Sequence, residues 1–118
     1  MAKKITVGLT ISGEIDGAKV NRNESFTATI TGNYISHDIL LAATAGEVLV
    51  ESADLGTAGL CFVKNLDKTN YITLGSTQAT NHAIKLLPGE STLFRATGPV
   101  YAQANTSTCK VEYIIIDT

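Results

Sequence analysis

The sequence has few of the residues that catalysis and metal binding require. It contains no Trp, two His, two Cys and two Pro, and aromatic residues make up only 6%. It lacks the GxSxG, Gly-rich phosphate-loop, HExxH and EF-hand motifs. Its acidic residues lie mostly in expected turns or beside strand ends, and no two of them form an evident glycosidase pair. We therefore expect a protein that is not an enzyme and that carries no cofactor.

Charge and hydropathy exclude two classes of partner. The chain has 9 basic and 11 acidic residues, for a net charge of −2, whereas nucleic-acid binding needs a basic face. No apolar run approaches the roughly 20 residues of a membrane helix, and no long apolar stretch of a signal peptide follows Met1. We expect no nucleic-acid partner, no membrane partner and folding in a cytosol.

Alternating apolar and polar residues predict β-strands along the whole chain. Over residues 4–12, for example, four aliphatic side chains occur at every second position. Residues 39–45 are ambiguous between a strand, a loop and a single helical turn, and residues 71–74 are expected to form a hairpin with 58–64. Strands are further predicted at 26–31, 47–51, 58–64, 82–87, 91–95, 99–104 and 108–117, and turns at 13–17, 52–57, 65–70 and 88–89.

Eight to ten short antiparallel strands separated by turn residues are typical of a β-sandwich or a jelly roll. The length of 118 residues suits one domain, and no linker or internal repeat divides it. The sequence therefore predicts an all-β, single-domain β-sandwich over residues 1–118.

Two small groups of residues are candidates for a metal or catalytic site. His37 and Asp38 are neighbours, but neighbours in a strand point to opposite faces, so a surface loop is favoured for them over a site. Asn65, Asp67 and Asn70 share one turn; their oxygens suit calcium, although such side chains more often bond the backbone of their own turn. The second histidine, His82, has no visible partner and is expected to be structural.

The cysteines and the aromatic residues favour structural roles. Cys61 and Cys109 lie in apolar strand patterns and form no CxxC pair, so buried free thiols are favoured over a disulfide or a reactive site. The three Phe residues are expected in the core, while Tyr side chains suit an interface or a sheet edge. The absence of Trp weakens a sugar-binding interpretation.

The order of several short motifs is similar to that of small structural proteins of tailed bacteriophages. Residues 59–75 contain a strand followed by an Asn-x-Asp-x-x-Asn turn, and residues 84–95 contain a Leu-x-Pro-Gly-Glu turn. The strand pattern at 111–117 then closes the chain. The resemblance covers residues 58–117, about half of the chain, and the first 57 residues match only in strand rhythm.

The resemblance implies a role in the phage particle, first of all as a capsid decoration (cement) protein bound between major capsid subunits at the capsid surface. It also implies a homo-oligomer, with a trimer favoured, and a short N-terminal arm at residues 1–4. The expected interface residues are Lys3, Lys4, Tyr34 and Tyr101, with the loops at 13–25 and 76–81. The alternatives are a tail, collar or fibre component, or a glycan-binding β-sandwich module.

Overall fold

The protein is all-β. A computed structural model describes residues 3–32, 34–49 and 58–117, and this part of the chain contains no helix, hence none that could span a membrane. The predicted fold class is confirmed. The ten strands are β1 (Lys3–Ile15), β2 (Ala18–Ile30), β3 (Ile35–Ala42), β4 (Glu47–Val48), β5 (Ala58–Asn65), β6 (Ile72–Gly75), β7 (His82–Leu86), β8 (Ser91–Arg95), β9 (Tyr101–Ala104) and β10 (Cys109–Asp117).

Two compact units divide the chain, Met1–Thr31 and Gly32–Thr118. The first is the hairpin of β1 and β2. Each strand has 13 residues, and the two strands pair along their full length. Asp16 and Gly17 form the turn with φ of 47° and 84°, as expected of the Asp-Gly dipeptide of a type I′ turn. A single domain over 1–118 stays a prediction.

The hairpin corrects two expectations about the first 30 residues. Residues 13–25 do not form a loop, because only the two turn residues interrupt the strands. Lys3 and Lys4 belong to β1 rather than to a separate arm. Met1 and Ala2, with the turn predicted at 52–57, lie outside the described residues.

The second unit is a sandwich of two four-stranded antiparallel sheets. Sheet I has the order β3-β10-β5-β8, and sheet II has the order β4-β9-β6-β7. The buried core draws on both sheets, with Val63, Val111 and Ile115 from sheet I and Ile72 and Leu74 from sheet II. Alternation along each strand sends these side chains inward. The predicted β-sandwich is confirmed for this unit.

The chain passes between the sheets at nearly every connection. The hairpin predicted between 58–64 and 71–74 is wrong: β5 pairs with β8 and β10 in sheet I, whereas β6 pairs with β7 and β9 in sheet II. The polar connection at 66–71 is therefore a crossing rather than a tight turn. Among the described strands of this unit, only β6 and β7 are neighbours both in sequence and in a sheet.

Candidate assembly surfaces

The outer face of sheet I carries an apolar surface. Its edge strand β3 exposes Ile35, Ile39 and Leu41, whose side chains are 58%, 57% and 59% exposed. These residues alternate in sequence and so share one face of the strand. The ambiguous stretch at 39–45 is thus a strand in its first half, and its outward side is apolar.

Neighbouring strands extend this surface across the sheet. Ile114 of β10 lies opposite Phe62 of β5, and Phe62 lies opposite Leu93 of β8. Directly opposed residues of antiparallel strands share a face, and all three are half-buried. We call Ile35, Ile39, Leu41, Phe62, Leu93 and Ile114 the outer apolar face of sheet I.

Charged side chains also lie on this side of sheet I, since Lys110 lies opposite Leu41, and Lys64 lies opposite Glu112. His37 Nε2 is 2.8 Å from Glu112 Oε2, across the β3–β10 pairing. His37 does not act with Asp38, whose Oδ1 accepts a hydrogen bond of 2.8 Å from the Ile39 N–H. The predicted separation of His37 from Asp38 fits this arrangement, but sequence offered no signal for Glu112, because its proximity depends on strand register.

The outer face of sheet II is polar by contrast. Thr73 lies between Lys85 and Gln103 in the pairing of β6 with β7 and β9, and the Lys85 ammonium lies 4.2 Å from the centre of the Tyr71 ring. Tyr101 belongs to this sheet. The large exposed apolar side chains of the two sheets thus lie on β3 of sheet I, at positions 35, 39 and 41.

The four residues predicted as an interface lie on different elements of the fold. Tyr34 is exposed and precedes β3, and its carbonyl oxygen accepts a 2.9 Å hydrogen bond from the Asp117 N–H. Tyr101 is half-buried in the other sheet. Lys3 and Lys4 are consecutive in β1 and so point to opposite faces of the hairpin. Whether any of them contacts a partner stays a prediction.

The hairpin is divided into an apolar and a polar face. The odd-numbered residues of β1 lie opposite even-numbered residues of β2, so Leu9, Ile11, Ile15, Val20 and Phe26 share a face. They are 45%, 60%, 78%, 48% and 42% exposed. Phe26, expected in the core, is therefore not buried. The opposite face consists of Lys4, Thr6, Gly8, Thr10, Ser12, Glu14, Lys19, Asn21, Asn23, Ser25, Thr27 and Thr29.

An ion pair interrupts the apolar face of the hairpin. Arg22 Nη2 lies 2.6 Å from Glu24 Oε1, and both side chains are largely exposed. The first half of β2 was not predicted as a strand, because these two charged residues occupy positions where a period of two predicts apolar residues. On the polar face, Lys19 and Glu14 are 3.9 Å apart.

The loop at 76–81 is held against the sandwich rather than free. His82 Nε2 donates a 2.9 Å hydrogen bond to the Thr77 carbonyl oxygen, and its Nδ1 forms a 2.8 Å hydrogen bond with the Thr73 hydroxyl. His82, which had no visible partner in the sequence, thus has two. Gly75 is required beside it, because a methyl group there would overlap the His82 ring and lie 2.7 Å from the Asn81 carbonyl oxygen.

Asn65 is the buried polar residue at the start of the crossing 66–71, with 0% exposure. Its Nδ2 donates to the carbonyl oxygens of Asn70 at 2.9 Å and Leu86 at 3.1 Å, and its Oδ1 accepts from the Asp67 N–H at 2.9 Å. Its backbone bonds Gly89 and Glu90. Asn65 therefore connects the crossing to the turn between β7 and β8.

Asp67 and Asn70 lie within the crossing at 66–71 and bond its backbone and a neighbouring segment. Asp67 Oδ2 accepts hydrogen bonds from the N–H groups of Asn70 at 2.6 Å and Thr69 at 3.0 Å, and these bonds lower the pKa of the Asp67 carboxyl. Asn70 Oδ1 accepts a 2.7 Å bond from the Thr106 hydroxyl. The side-chain oxygens that were considered as calcium ligands thus accept hydrogen bonds from neighbouring groups. The sequence favoured hydrogen bonding over calcium binding for these residues.

Both cysteines are buried free thiols. Cys61 lies opposite Ile115, and the distance along β10 from there to Cys109 is roughly 20 Å at strand spacing, whereas a disulfide joins Cα atoms about 4–7 Å apart. Burial raises the pKa of the Cys61 thiol to about 11. Burial and then the Asp67 charge raise the pKa of Cys109. Neither thiol has the lowered pKa of a reactive cysteine.

One open pocket, of about 310 Å³, lies beside β6, β7 and β8. Its lining is mostly apolar, including Ile84, Phe94 and Val100, and Arg95 is the charged member; no His, Cys, Asp or Glu is among its described lining residues. Across the described ranges, no three His, Cys, Asp or Glu side chains gather as a metal site would require. Comparison with protein-family models, curated proteins and solved structures found no match to this chain.

Proposed function

We propose that this chain is a structural protein of a bacteriophage particle, a capsid decoration protein that binds between major capsid subunits through the outer apolar face of sheet I. The observation that carries the proposal is the exposure of Ile35, Ile39 and Leu41, each more than half exposed on one edge strand. Contiguous exposed apolar residues on a folded protein are typical of a protein-binding site.

The position of these residues at a sheet edge adds to the argument. β3 pairs only with β10 in the described part of the chain, so within that part it is an edge strand. An apolar edge strand promotes aggregation unless a partner covers it. In a protein that is permanently bound to a large assembly, the assembly covers this edge. A binding role also needs no catalytic residues.

The strand order supports a fold that viral shells use. We infer that the eight strands β3–β10 form a jelly roll, because they divide into two four-stranded sheets and the chain crosses between them at every connection except β6–β7. Jelly rolls occur in viral capsid proteins, and also in lectins and cupins. The fold therefore agrees with the proposal without selecting it.

The two turn motifs that carry the phage resemblance are also in contact. Asn65 begins the Asn-x-Asp-x-x-Asn turn, and its side chain bonds the carbonyl oxygen of Leu86, where the Leu-x-Pro-Gly-Glu turn begins. Its backbone N–H donates to the Glu90 carbonyl oxygen at 2.9 Å. The two motifs thus form one connected piece of structure.

The test is quantitative mass spectrometry of purified phage particles that encode the chain, with its copy number measured against the major capsid protein. We expect a ratio near one or a simple fraction set by the symmetry axes of the shell. A far smaller ratio would assign the chain to the tail, collar or fibre. Its absence from particles would refute the virion role and leave the glycan-binding module to be tested on a glycan array.

The binding surface is tested by adding purified variants to particles that lack the chain. Ile39→Asp places a charge in the outer apolar face of sheet I, and we expect it to abolish rebinding. Ala83→Asp places the same charge at an exposed position of β7, the edge strand of sheet II, and we expect it to bind like the wild type. Equal binding of the two variants would exclude sheet I as the contact surface.

A further inference from the structure

We propose that the β1–β2 hairpin is an assembly element whose partner is the same hairpin in further copies of this chain. The hairpins join edge to edge in a closed ring, with their apolar faces inside. The inference concerns the purified chain and does not depend on the proposed function. Three observations carry it: the exposed apolar face, the two free edges and the balanced charge.

The first observation is that the apolar face of the hairpin is exposed over residues 9–24. Leu9, Ile11, Ile15 and Val20 are all between 45% and 78% exposed. A two-stranded hairpin alone is marginally stable in water, and three or more strands with an apolar face are needed for independent stability. Further strands beside the hairpin would supply what it lacks.

The second observation is that both outer edges of this half are free to pair. Over residues 9–24, β1 and β2 pair with each other and with no other described strand. If hairpins stand side by side, β1 of one copy lies antiparallel to β2 of the next, so the up-and-down pattern continues around the ring. Closing the ring removes every free edge, as in β-barrels.

The third observation is that the charges suit a partner identical to the hairpin itself. Arg22 and Glu24 neutralise each other on the apolar face at 2.6 Å, and Lys19 and Glu14 are paired on the polar face at 3.9 Å. Copies brought together therefore do not repel one another. A basic or acidic partner surface would find little net charge to bind, since residues 9–24 carry two basic and three acidic side chains.

Size decides between a ring and a simple pair. The exposed half of the face is about 26 Å long and 10 Å wide at the usual strand spacings, or roughly 250 Å² per copy. Two faces in contact would bury roughly 500 Å², below the roughly 1,000 Å² of a stable interface. A ring of three or more copies adds backbone pairing at both edges of every hairpin and encloses the faces from all sides.

The experiment is native mass spectrometry of the full chain with a matched pair of variants. Ile11→Asp charges the apolar face, while Ser12→Asp adds the same charge to the next residue, on the polar face. We expect three or more copies for the wild type and for Ser12→Asp, and at least a tenfold weaker assembly for Ile11→Asp. A monomeric or dimeric wild type, or equal assembly of the two variants, would overturn the proposal.

A second variant and a second readout separate lost assembly from lost folding. Ile15→Asp lies beside the turn at a position 78% exposed, so folding of the single chain does not depend on it, and we expect it to weaken assembly as Ile11→Asp does. Hydrogen exchange should show protected amides in residues 9–24 of the wild type, lost in both variants, with β5 and β10 protected in all. Protection at 9–24 that survives in the variants would contradict pairing between copies.

Discussion

Replacement of Asn65 by Ala should cost the sandwich a large part of its stability, although the change removes only a small polar side chain. Asn65 is fully buried and forms three side-chain hydrogen bonds, to the Asn70 and Leu86 carbonyl oxygens and from the Asp67 N–H. Alanine can form none of them. The two carbonyl oxygens and the N–H group would then lack this partner, and the Leu86 carbonyl oxygen would lack it at a buried position.

The expected loss follows from the number of bonds. A hydrogen bond contributes about 1 kcal/mol net, and a buried group left without a partner costs about 1–3 kcal/mol. Three bonds, of which the one to Leu86 is buried, therefore give about 3–4 kcal/mol, against the roughly 5–15 kcal/mol that stabilises a whole domain. At a urea slope of about 2 kcal/mol per molar, the midpoint of unfolding should fall by about 1.5–2 M.

The assay is urea unfolding followed by far-ultraviolet circular dichroism. Asn105→Ala is the matched control, because Asn105 is exposed, and we expect it to change the free energy of unfolding by less than about 0.5 kcal/mol. Asn65→Asp should destabilise at least as much as Asn65→Ala, since a carboxylate oxygen would then face the two carbonyl oxygens. Equal midpoints for Asn65→Ala and Asn105→Ala would refute the reasoning.

Two further predictions concern Gly75 and Asp67. Gly75→Ala should lower the free energy of unfolding by about 1–3 kcal/mol, because the added methyl group overlaps the His82 ring; Gly8→Ala, which meets nothing within 4 Å, should be close to neutral in the same urea assay. The pKa of the Asp67 carboxyl is lower in the folded than in the unfolded chain, so its contribution is present above the unfolded pKa and is lost as the pH falls through the folded pKa. Unfolding measured from neutral to acidic pH should therefore show a weaker pH dependence for Asp67→Asn than for the wild type, and parallel curves would contradict this.

The sequence was sufficient for strands whose pattern and boundaries both depend on nearby residues. The strand predicted at 91–95 has those bounds in the structure, and the one at 58–64 differs by a single residue. The turn-forming residues at 65–70 predicted where the strand at 58–64 ends, and those at Pro88-Gly89 predicted that a new strand begins after them. The bonding of Asp67 within its own turn was likewise the favoured interpretation.

The errors arose where the structure depends on residues far apart in the chain. A polar turn after β5 predicts that the chain reverses, but it does not tell which sheet the next strand joins. Here the chain crosses to sheet II, and Asn65 bonds both ends of the crossing. Similarly, β2 was missed in its first half because Arg22 and Glu24 pair with each other on a face where apolar residues were expected.

The candidate surfaces were the least accessible to sequence. Ile35, Ile39 and Leu41 alternate, but Leu40 between them is also apolar, so the outward side of β3 could not be told from its inward side. The apolar face of β1 was visible as four alternating aliphatics. Its exposure was not, because a period of two shows that residues share a face and not what covers that face.

The insertion of β10 between β3 and β5 has a consequence for the kinetics of folding. Sheet I cannot form while β10 is missing, because β3 has no other described neighbour and β5 would keep only β8. During synthesis, at about 5–20 residues per second, the ribosome therefore has to deliver residues 109–117 before the sheet can assemble, and the exposed edges of the earlier strands wait for several seconds. The β1–β2 hairpin has only local pairing and can close within about 10 µs of its own synthesis. Chaperones that shield apolar strands should therefore act on the sandwich segment of the nascent chain, and contact order predicts that its folding is slow.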